Sequence, residues 1–140
     1  MRTFYIFKIK KEIAILTKEI PYNLFKMIEN LYYLDSSYTD LSFNLYNNLF
    51  SIIDKEYVDN RLNNLFKNNR HYVFSEGVHI INNKYKPEES YLKVYKSHII
   101  LKSNVIYPSL LVNYLSSDNL FVCDFKYKDY FWLNEIIVKN

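Results

Sequence analysis

Residues 122–134 read VCDFKYKDYFWLN, and this stretch near the end of the chain holds the only cysteine and the only tryptophan. Aromatic and aliphatic residues flank a central KYKD, whose polar composition is typical of a turn. We therefore predict a strand over residues 120–125, a turn at KYKD and a returning strand over residues 130–133. Such a terminal hairpin completes a sheet, and the aromatic side chains that we expect in its core are Phe125, Tyr130 and Trp132.

The segments before this hairpin show both strand and helix patterns. RTFYIFKI at residues 2–9 is apolar on both faces, which is typical of a central strand. KKEIAILTKE at residues 10–19 is expected to be a connecting segment. Helical spacing predicts a helix from Pro21 to about residue 34, and a second helix whose apolar stripe runs through Leu41, Leu45, Leu49, Ile52 and Ile53. Ser37 with Asp40 resembles a capping box before this second helix. Asp54 is a plausible cap for a third helix, which ends at KNN.

The second half of the chain is mainly strand-like. Residues 71–81 are compatible with a strand or a loop, and KYKPEES at residues 84–90 with a loop. Two strands are predicted at residues 91–95 and 98–102, and Pro108 opens a predicted helix. We expect a single α+β domain over residues 1–140. Its one mixed or antiparallel sheet is packed by helices, with a split βαββαβ-like order, a helical insertion and a C-terminal hairpin.

Composition predicts a folded protein of the cytoplasm. Hydrophobic residues make up 49% of the chain and aromatic residues 19%, well above the values of disordered chains. The N-terminal apolar residues are interrupted by lysines before a signal peptide could form, and no apolar run is long enough to span a membrane. A single cysteine excludes an internal disulfide, which favours a reducing compartment.

The residue types needed for catalysis are scarce or poorly spaced. The only glycine, Gly77, cannot supply a phosphate-binding loop, which needs several. Cys123 alternates with Phe121 and Phe125, so we expect a buried, inert thiol rather than a nucleophile. The three histidines show no metal-ligand spacing, and Asp124 is expected to face solvent or to bond a neighbouring strand rather than to act as a general base. We therefore predict a protein that is not an enzyme and needs no cofactor or metal.

The net charge of +3 leaves a nucleic-acid-binding function open. In this alternative, the chain is a small basic module that places lysines beside tyrosine and phenylalanine rings on its sheet. The lysines concerned are Lys8, Lys10, Lys11, Lys126 and Lys128. The abundance of Asn, Lys, Ile, Tyr and Phe is also what A/T-rich codons produce, so composition alone does not establish this function.

The terminal stretch carries the most specific pattern, DF-x4-Y-x-WLN, filled by Asp124, Phe125, Tyr130, Trp132, Leu133 and Asn134. Together with FYIFKIKKEIA at residues 4–14 and HIILKSNVIYPSLLVNYL at residues 98–115, it resembles the sporulation inhibitor of replication (SirA) family of endospore-forming Firmicutes. The resemblance spans nearly the whole chain. It implies a monomeric, non-enzymatic cytoplasmic protein that binds the N-terminal domain of the replication initiator DnaA and blocks initiation during sporulation, with no direct nucleic-acid contact expected.

The resemblance also implies where the partner binds, around the end of the first strand and the helices that follow it. In this chain Ile13 and Thr17 stand where the family pattern leads us to expect aromatic residues. Either the partner differs accordingly, or other residues of the second predicted helix take part. The residues that we expect to contact the partner are Lys10, Glu12, Ile13, Thr17, Asn47, Asn48 and Ser51.

Overall fold

A computed structural model describes residues 1–34, 46–111 and 119–137 of the chain. Within these residues the strands are β1 (Arg2–Lys8), β2 (Tyr72–Ser75), β3 (Val78–Asn83), β4 (Glu88–Val94), β5 (Ile99–Ser103), β6 (Leu120–Asp124) and β7 (Asp129–Trp132). The helices are α1 (Lys11–Thr17), α2 (Pro21–Tyr32), α3 (Lys55–Phe66) and α4 (Leu133–Ile137), and residues 46–49 are also helical.

The strands form one antiparallel sheet in the order β2-β3-β4-β5-β1-β6-β7. The first strand therefore lies in the interior of the sheet, between β5 and β6, as its apolar character on both faces predicts. The α+β fold class is confirmed, with helices packed on an antiparallel sheet. The terminal hairpin is β6–β7, and it continues into α4, which the sequence analysis did not predict.

Alternating side chains of β1 enter two separate cores. Phe4 and Ile6 join a cluster that includes Val58 and Leu62 of α3. Phe7 joins a second cluster on the opposite face of the sheet, where α1, α2, Phe50, Phe125 and Trp132 pack. Because strand side chains alternate in direction, one central strand holds both helical layers in place.

Two of the predicted helices are confirmed, and one expected connecting segment is wrong. In α2 the buried residues Leu24, Phe25 and Ile28 follow helical spacing, and Asp54 caps α3 by accepting a hydrogen bond from Tyr57 N–H at 3.1 Å. The segment expected to be a simple connection after β1 is helix α1. Its short length explains the error, because seven residues hold too few turns to show a clear period.

The β2–β3 hairpin resolves the ambiguity over residues 71–81. Glu76 and Gly77 form its two-residue loop with φ of 52° and 78°, so the single glycine lies where a left-handed backbone is required. The predicted loop at residues 84–90 is shorter than expected because β4 already begins at Glu88. Residues 108–111 form a turn, closed by Leu111 N–H donating to Pro108 C=O at 3.0 Å.

Some predictions concern residues outside the described ranges. These are the capping box at Ser37 and Asp40, the apolar positions Leu41 and Leu45, and the end of the predicted helix after Pro108. In the described ranges, no helix is long and apolar enough to cross a membrane.

Candidate partner-binding surface

Main-chain hydrogen bonds join the end of β1 to the segment around residue 50. Ile9 and Phe50 form an isolated antiparallel β-bridge. Two hydrogen bonds flank this bridge, from Lys10 N–H to Leu49 C=O at 2.9 Å and from Ser51 N–H to Lys8 C=O at 2.8 Å. The two segments that contain the predicted contact residues are thus neighbours in space, although they are far apart in sequence.

Helix α1 exposes two adjacent aliphatic side chains. Ile15 and Leu16 are 69% and 71% exposed, and Ile20, just after the helix, is 46% exposed. Ala14 and Thr17 lie on the buried side of the same helix. A cluster of exposed aliphatic residues is a surface that a partner can cover favourably, because burial of apolar area drives association.

The predicted contact residues of α1 divide between its two sides. Glu12 is exposed, whereas Ile13 is half-buried and packs against the second core. Thr17 is only 5% exposed, and its hydroxyl donates to Ile13 C=O at 2.8 Å. The Thr17 side chain therefore belongs to the interior of the protein. Lys10, which precedes the helix, is half-buried.

The residues around the bridge supply the rest of the predicted set. Asn47 and Asn48 are exposed on the helical residues 46–49, and Ser51 is half-buried. Ile52, the next residue, is 77% exposed, although Ile53 is buried and its N–H donates to Lys96 C=O at 2.8 Å. The extended backbone after residue 50 thus alternates between solvent and core.

The two segments that carry the predicted contact residues also expose three side chains that were not predicted from the sequence. Ile15 and Leu16 were overlooked because their segment was taken for a connection, and Ile52 because it was assigned to the apolar stripe of a helix. The signal that could have found them is the inward set Lys10, Ile13, Ala14 and Thr17, spaced i, i+3, i+4 and i+7. We call the exposed side chains on the two bridged segments the bridge surface: Glu12, Ile15, Leu16, Asn47, Asn48 and Ile52.

An apolar hollow of about 280 Å³ lies beside the bridge surface. Its lining residues are mostly aromatic: Tyr5, Phe7, Ile28, Leu31, Tyr32, Tyr46, Phe50 and His98. The Tyr46 hydroxyl donates to Ser97 C=O, and burial raises its pKa. Burial, with a hydrogen bond to Tyr32, raises the pKa of Tyr5 to about 12, so both hydroxyls stay protonated at neutral pH. The hollow therefore offers apolar contact and no charge from these two tyrosines.

A second concavity of about 760 Å³ lies at the start of α3, and Lys55 and Asp59 in its wall belong to a polar network that continues into the interior. Asp59 accepts from Lys55 Nζ and contacts His79 Nε2, each at 2.7 Å, and Tyr72 contacts His79 Nδ1 at 2.7 Å. A carboxylate only accepts, so Nε2–H donates to Asp59, and Nδ1 accepts from the Tyr72 hydroxyl. His79 is fully buried and both ring nitrogens are occupied, so its imidazole cannot accept a proton from a bound substrate.

The thiol of Cys123 also lacks the setting of a nucleophile. Its side chain is fully buried in the second core, as predicted, and burial raises its pKa. Asp124 bonds the neighbouring strand, as expected, and accepts from Arg2 Nε at 2.9 Å. Among the described residues, no group of His, Cys, Asp and Glu side chains is arranged to hold a metal ion.

Two of the lysines considered for nucleic-acid binding are engaged within the protein. Lys128 Nζ donates to the buried carboxylate of Glu29, and Lys126 Nζ lies 5.5 Å from the ring centroid of Tyr127. The rings of Phe4 and Phe7 on β1 are buried under helices on opposite faces of the sheet. The aromatic rings of Phe4 and Phe7 on β1 are therefore closed to bases.

The chain was compared with known proteins at the level of family and of individual sequence. No protein-family model matches it, and no curated protein matches it. The residues and their geometry thus provide the basis for a functional proposal.

Proposed function

We propose that this chain inhibits the initiation of chromosome replication by binding the N-terminal domain of the initiator DnaA as cells commit to sporulation. The proposal starts from the terminal DF-x4-Y-x-WLN motif and the N-terminal FYIFKIKKEIA, which resemble the SirA family. In this role the chain acts in the cytoplasm of a Firmicute as a monomer, by contact alone, and transforms no substrate.

One observation carries the proposal. The Ile9–Phe50 bridge brings together the two segments that the resemblance implicates, and these segments expose Ile15, Leu16 and Ile52. The same two segments also expose the polar side chains Glu12, Asn47 and Asn48, and a transient interface likewise combines apolar with polar side chains. A surface of this kind supports protein binding better than catalysis.

The mechanism that we propose is steric. A standard protein–protein interface buries roughly 1,200–2,000 Å² in total, so each partner loses about a tenth of the surface of a small protein. An initiator domain covered over such an area cannot use the same face for the contacts that initiation needs. Inhibition then requires only binding, and its extent follows the occupancy of the domain.

The test is a titration of the purified chain against the N-terminal domain of its host's DnaA by isothermal calorimetry. We expect binding at micromolar concentrations or tighter, with a negative heat-capacity change because apolar area is buried. Leu16→Glu places a charge in the apolar patch and should weaken binding at least tenfold. The matched control is Leu65→Glu, which introduces the same charge on a leucine that is 52% exposed on α3.

The result has two informative failures. If the wild-type chain gives no heat at tens of micromolar, DnaA is not its partner. If Leu65→Glu weakens binding as much as Leu16→Glu, the initiator domain binds but the bridge surface is not the contact. Circular dichroism of both variants checks that each remains folded.

A further inference from the structure

Among the residues that the structure describes, no helix covers one face of the sheet beyond β1. Helix α2 and Phe50 cover the β1–β6–β7 part of this face, whereas α3 packs on the opposite face. On strands β2 to β5 the side chains that point away from α3 are exposed or half-exposed. We call this area the open sheet face, and its residues are Val73, Ile80, Tyr91, Lys93, Tyr95, Ile100 and Lys102.

Aromatic rings and a cation alternate along β4 on the open sheet face. Tyr91, Lys93 and Tyr95 point to this side, because Leu92 and Val94 between them are buried on the other. Lys93 Nζ lies 5.3 Å from the centroid of the Tyr95 ring. The Tyr91 hydroxyl donates to Glu89 at 2.5 Å, which fixes the direction of its ring. The Tyr95 ring also stacks on His98, with 5.3 Å between the ring centroids, so only its other face is open to a further ring. The strand thus presents the Tyr91 ring and one face of the Tyr95 ring with an ammonium group beside them.

The neighbouring strand adds a second cation beside the first ring. Lys102 of β5 is directly opposite Tyr91 in the strand register, and Lys93 is opposite Ile100. Lys93 and Lys102 are therefore diagonal neighbours, roughly 7–8 Å apart at their Cα atoms. Both lysines are exposed, and neither forms an ion pair with any residue in the part of the chain that the structure describes. Glu89 is the one carboxylate placed on this side by β4.

We propose that the open sheet face binds single-stranded nucleic acid, with bases stacked on Tyr91 and Tyr95 and phosphates paired with Lys93 and Lys102. Exposed rings with interleaved cations are what a single strand recognises, because every base has a face to stack and every nucleotide carries a negative charge. A protein partner of the same face would be expected to match Ile80 and Ile100 with apolar side chains. The two ammonium groups, which form no ion pair among the described residues, favour the polyanion.

This inference goes beyond the proposed function, which needs no nucleic-acid contact. It also differs from the placement on Lys8, Lys10, Lys11, Lys126 and Lys128 considered from the sequence. The open sheet face and the bridge surface are made of different residues, so either activity can be lost without the other.

The test is fluorescence anisotropy with a labelled oligothymidine of about fifteen nucleotides, which covers the usual site sizes. We expect binding at about 50 mM salt that weakens as salt rises, because counterions are released from the phosphates. Tyr95→Ala should weaken binding roughly tenfold through the loss of one stacked base. Lys93→Ala combined with Lys102→Ala should reduce the slope of log K against log salt by about 1.4, or about 0.7 per lost phosphate contact.

The control is Lys67→Ala combined with Lys126→Ala, which removes the same charge from two exposed lysines elsewhere. These changes should leave the salt slope unaltered. Absence of binding at tens of micromolar in low salt would overturn the proposal, as would an equal loss in the control or equal affinity for duplex of the same length. Calorimetry with the DnaA domain on the same variants keeps this outcome separate from that of the bridge surface.

Discussion

His79 Nε2 donates a hydrogen bond to Asp59 Oδ1 at 2.7 Å and so joins strand β3 to helix α3. The imidazole ring is fully buried and stacks on Phe74, with 4.4 Å between ring centroids. Burial lowers the pKa of His79 even though its bond to Asp59 acts in the opposite direction. The hairpin β2–β3 is thereby attached to the helix through a neutral histidine.

Acidification should destabilise the fold through this residue. Burial lowers the pKa of both His79 and His98, so the unfolded chain binds protons more readily than the folded one. The free energy of unfolding should then fall as pH drops below about 6.5, the ordinary pKa of histidine. The Lys128 and Lys26 contacts lower the pKa of Glu29. Protonation of this carboxyl group therefore reduces the free energy of unfolding only at a lower pH than that of the histidines.

The measurement is the urea midpoint at about pH 7.5 and about pH 5.5. We expect a lower midpoint at the acidic pH in the wild-type chain. The combined variant His79→Gln and His98→Gln should show a smaller difference, since glutamine does not titrate in this range. If the urea midpoint of the variant falls between the two pH values as much as that of the wild-type chain, the pH dependence arises from other groups.

Asp124 should contribute more to stability than its neighbour Asp129. The Asp124 carboxylate is buried and accepts from Arg2 Nε at 2.9 Å and from the N–H groups of Lys126 and Tyr127. Asp124→Ala leaves these donors unpaired and should cost about 1–3 kcal/mol. Asp129→Ala removes a partly exposed ion pair with Arg2 and should cost less than about 1 kcal/mol. If urea denaturation gives similar losses of unfolding free energy for the two variants, burial of the carboxylate is not what makes Asp124 important.

Glu76 is a position at which a substitution should stabilise the protein. Its φ of 52° lies in the left-handed region, which disfavours most residues that carry a Cβ. Asparagine tolerates this conformation better, so Glu76→Asn should raise the free energy of unfolding by up to about 1 kcal/mol. The opposite effect is expected at the next residue. Gly77→Ala, at φ of 78°, should lower the free energy of unfolding by about 1 kcal/mol although space is available for the methyl group. Thermal unfolding of the two variants gives both values.

Neighbouring positions of α1 should respond differently to the same substitution. Leu16 is 71% exposed, so Leu16→Lys should change stability by no more than about 0.5 kcal/mol. Thr17→Lys forces a charge into a buried position and should cost about 2 kcal/mol or more. Chemical denaturation of both variants tests the orientation of the helix. Equal effects would show that α1 presents a different side to solvent.

The sequence predicted the elements whose pattern is long or chemically distinctive. Helix α2 begins with a proline and carries a clear apolar stripe, and β1 is apolar on both faces as a central strand requires. The hairpin around KYKD was found because strand residues and turn residues alternate there. By contrast, α1 spans seven residues, and its period became clear only when the buried positions Ala14 and Thr17 were known.

The exposure of individual side chains on the candidate surface could not be predicted from the sequence. The expected contacts at residues 10–17 follow from a resemblance and those at residues 47–51 from the polar side of a predicted helix, and no local pattern indicates that Lys10 and Leu49 share a hydrogen bond. Such a contact is a property of the tertiary fold. Similarly, the burial of Thr17 and the exposure of Ile15 depend on the direction in which α1 packs against the sheet.

The hydrogen bonds beside the Ile9–Phe50 bridge involve only main-chain atoms. Side chains at the adjoining exposed positions can therefore be replaced without loss of the alignment between the two segments. A binding surface built in this way can accumulate side-chain substitutions that match changes in its partner, because main-chain hydrogen bonds alone fix its geometry. Divergence of contact residues between related chains is then compatible with an unchanged mode of docking.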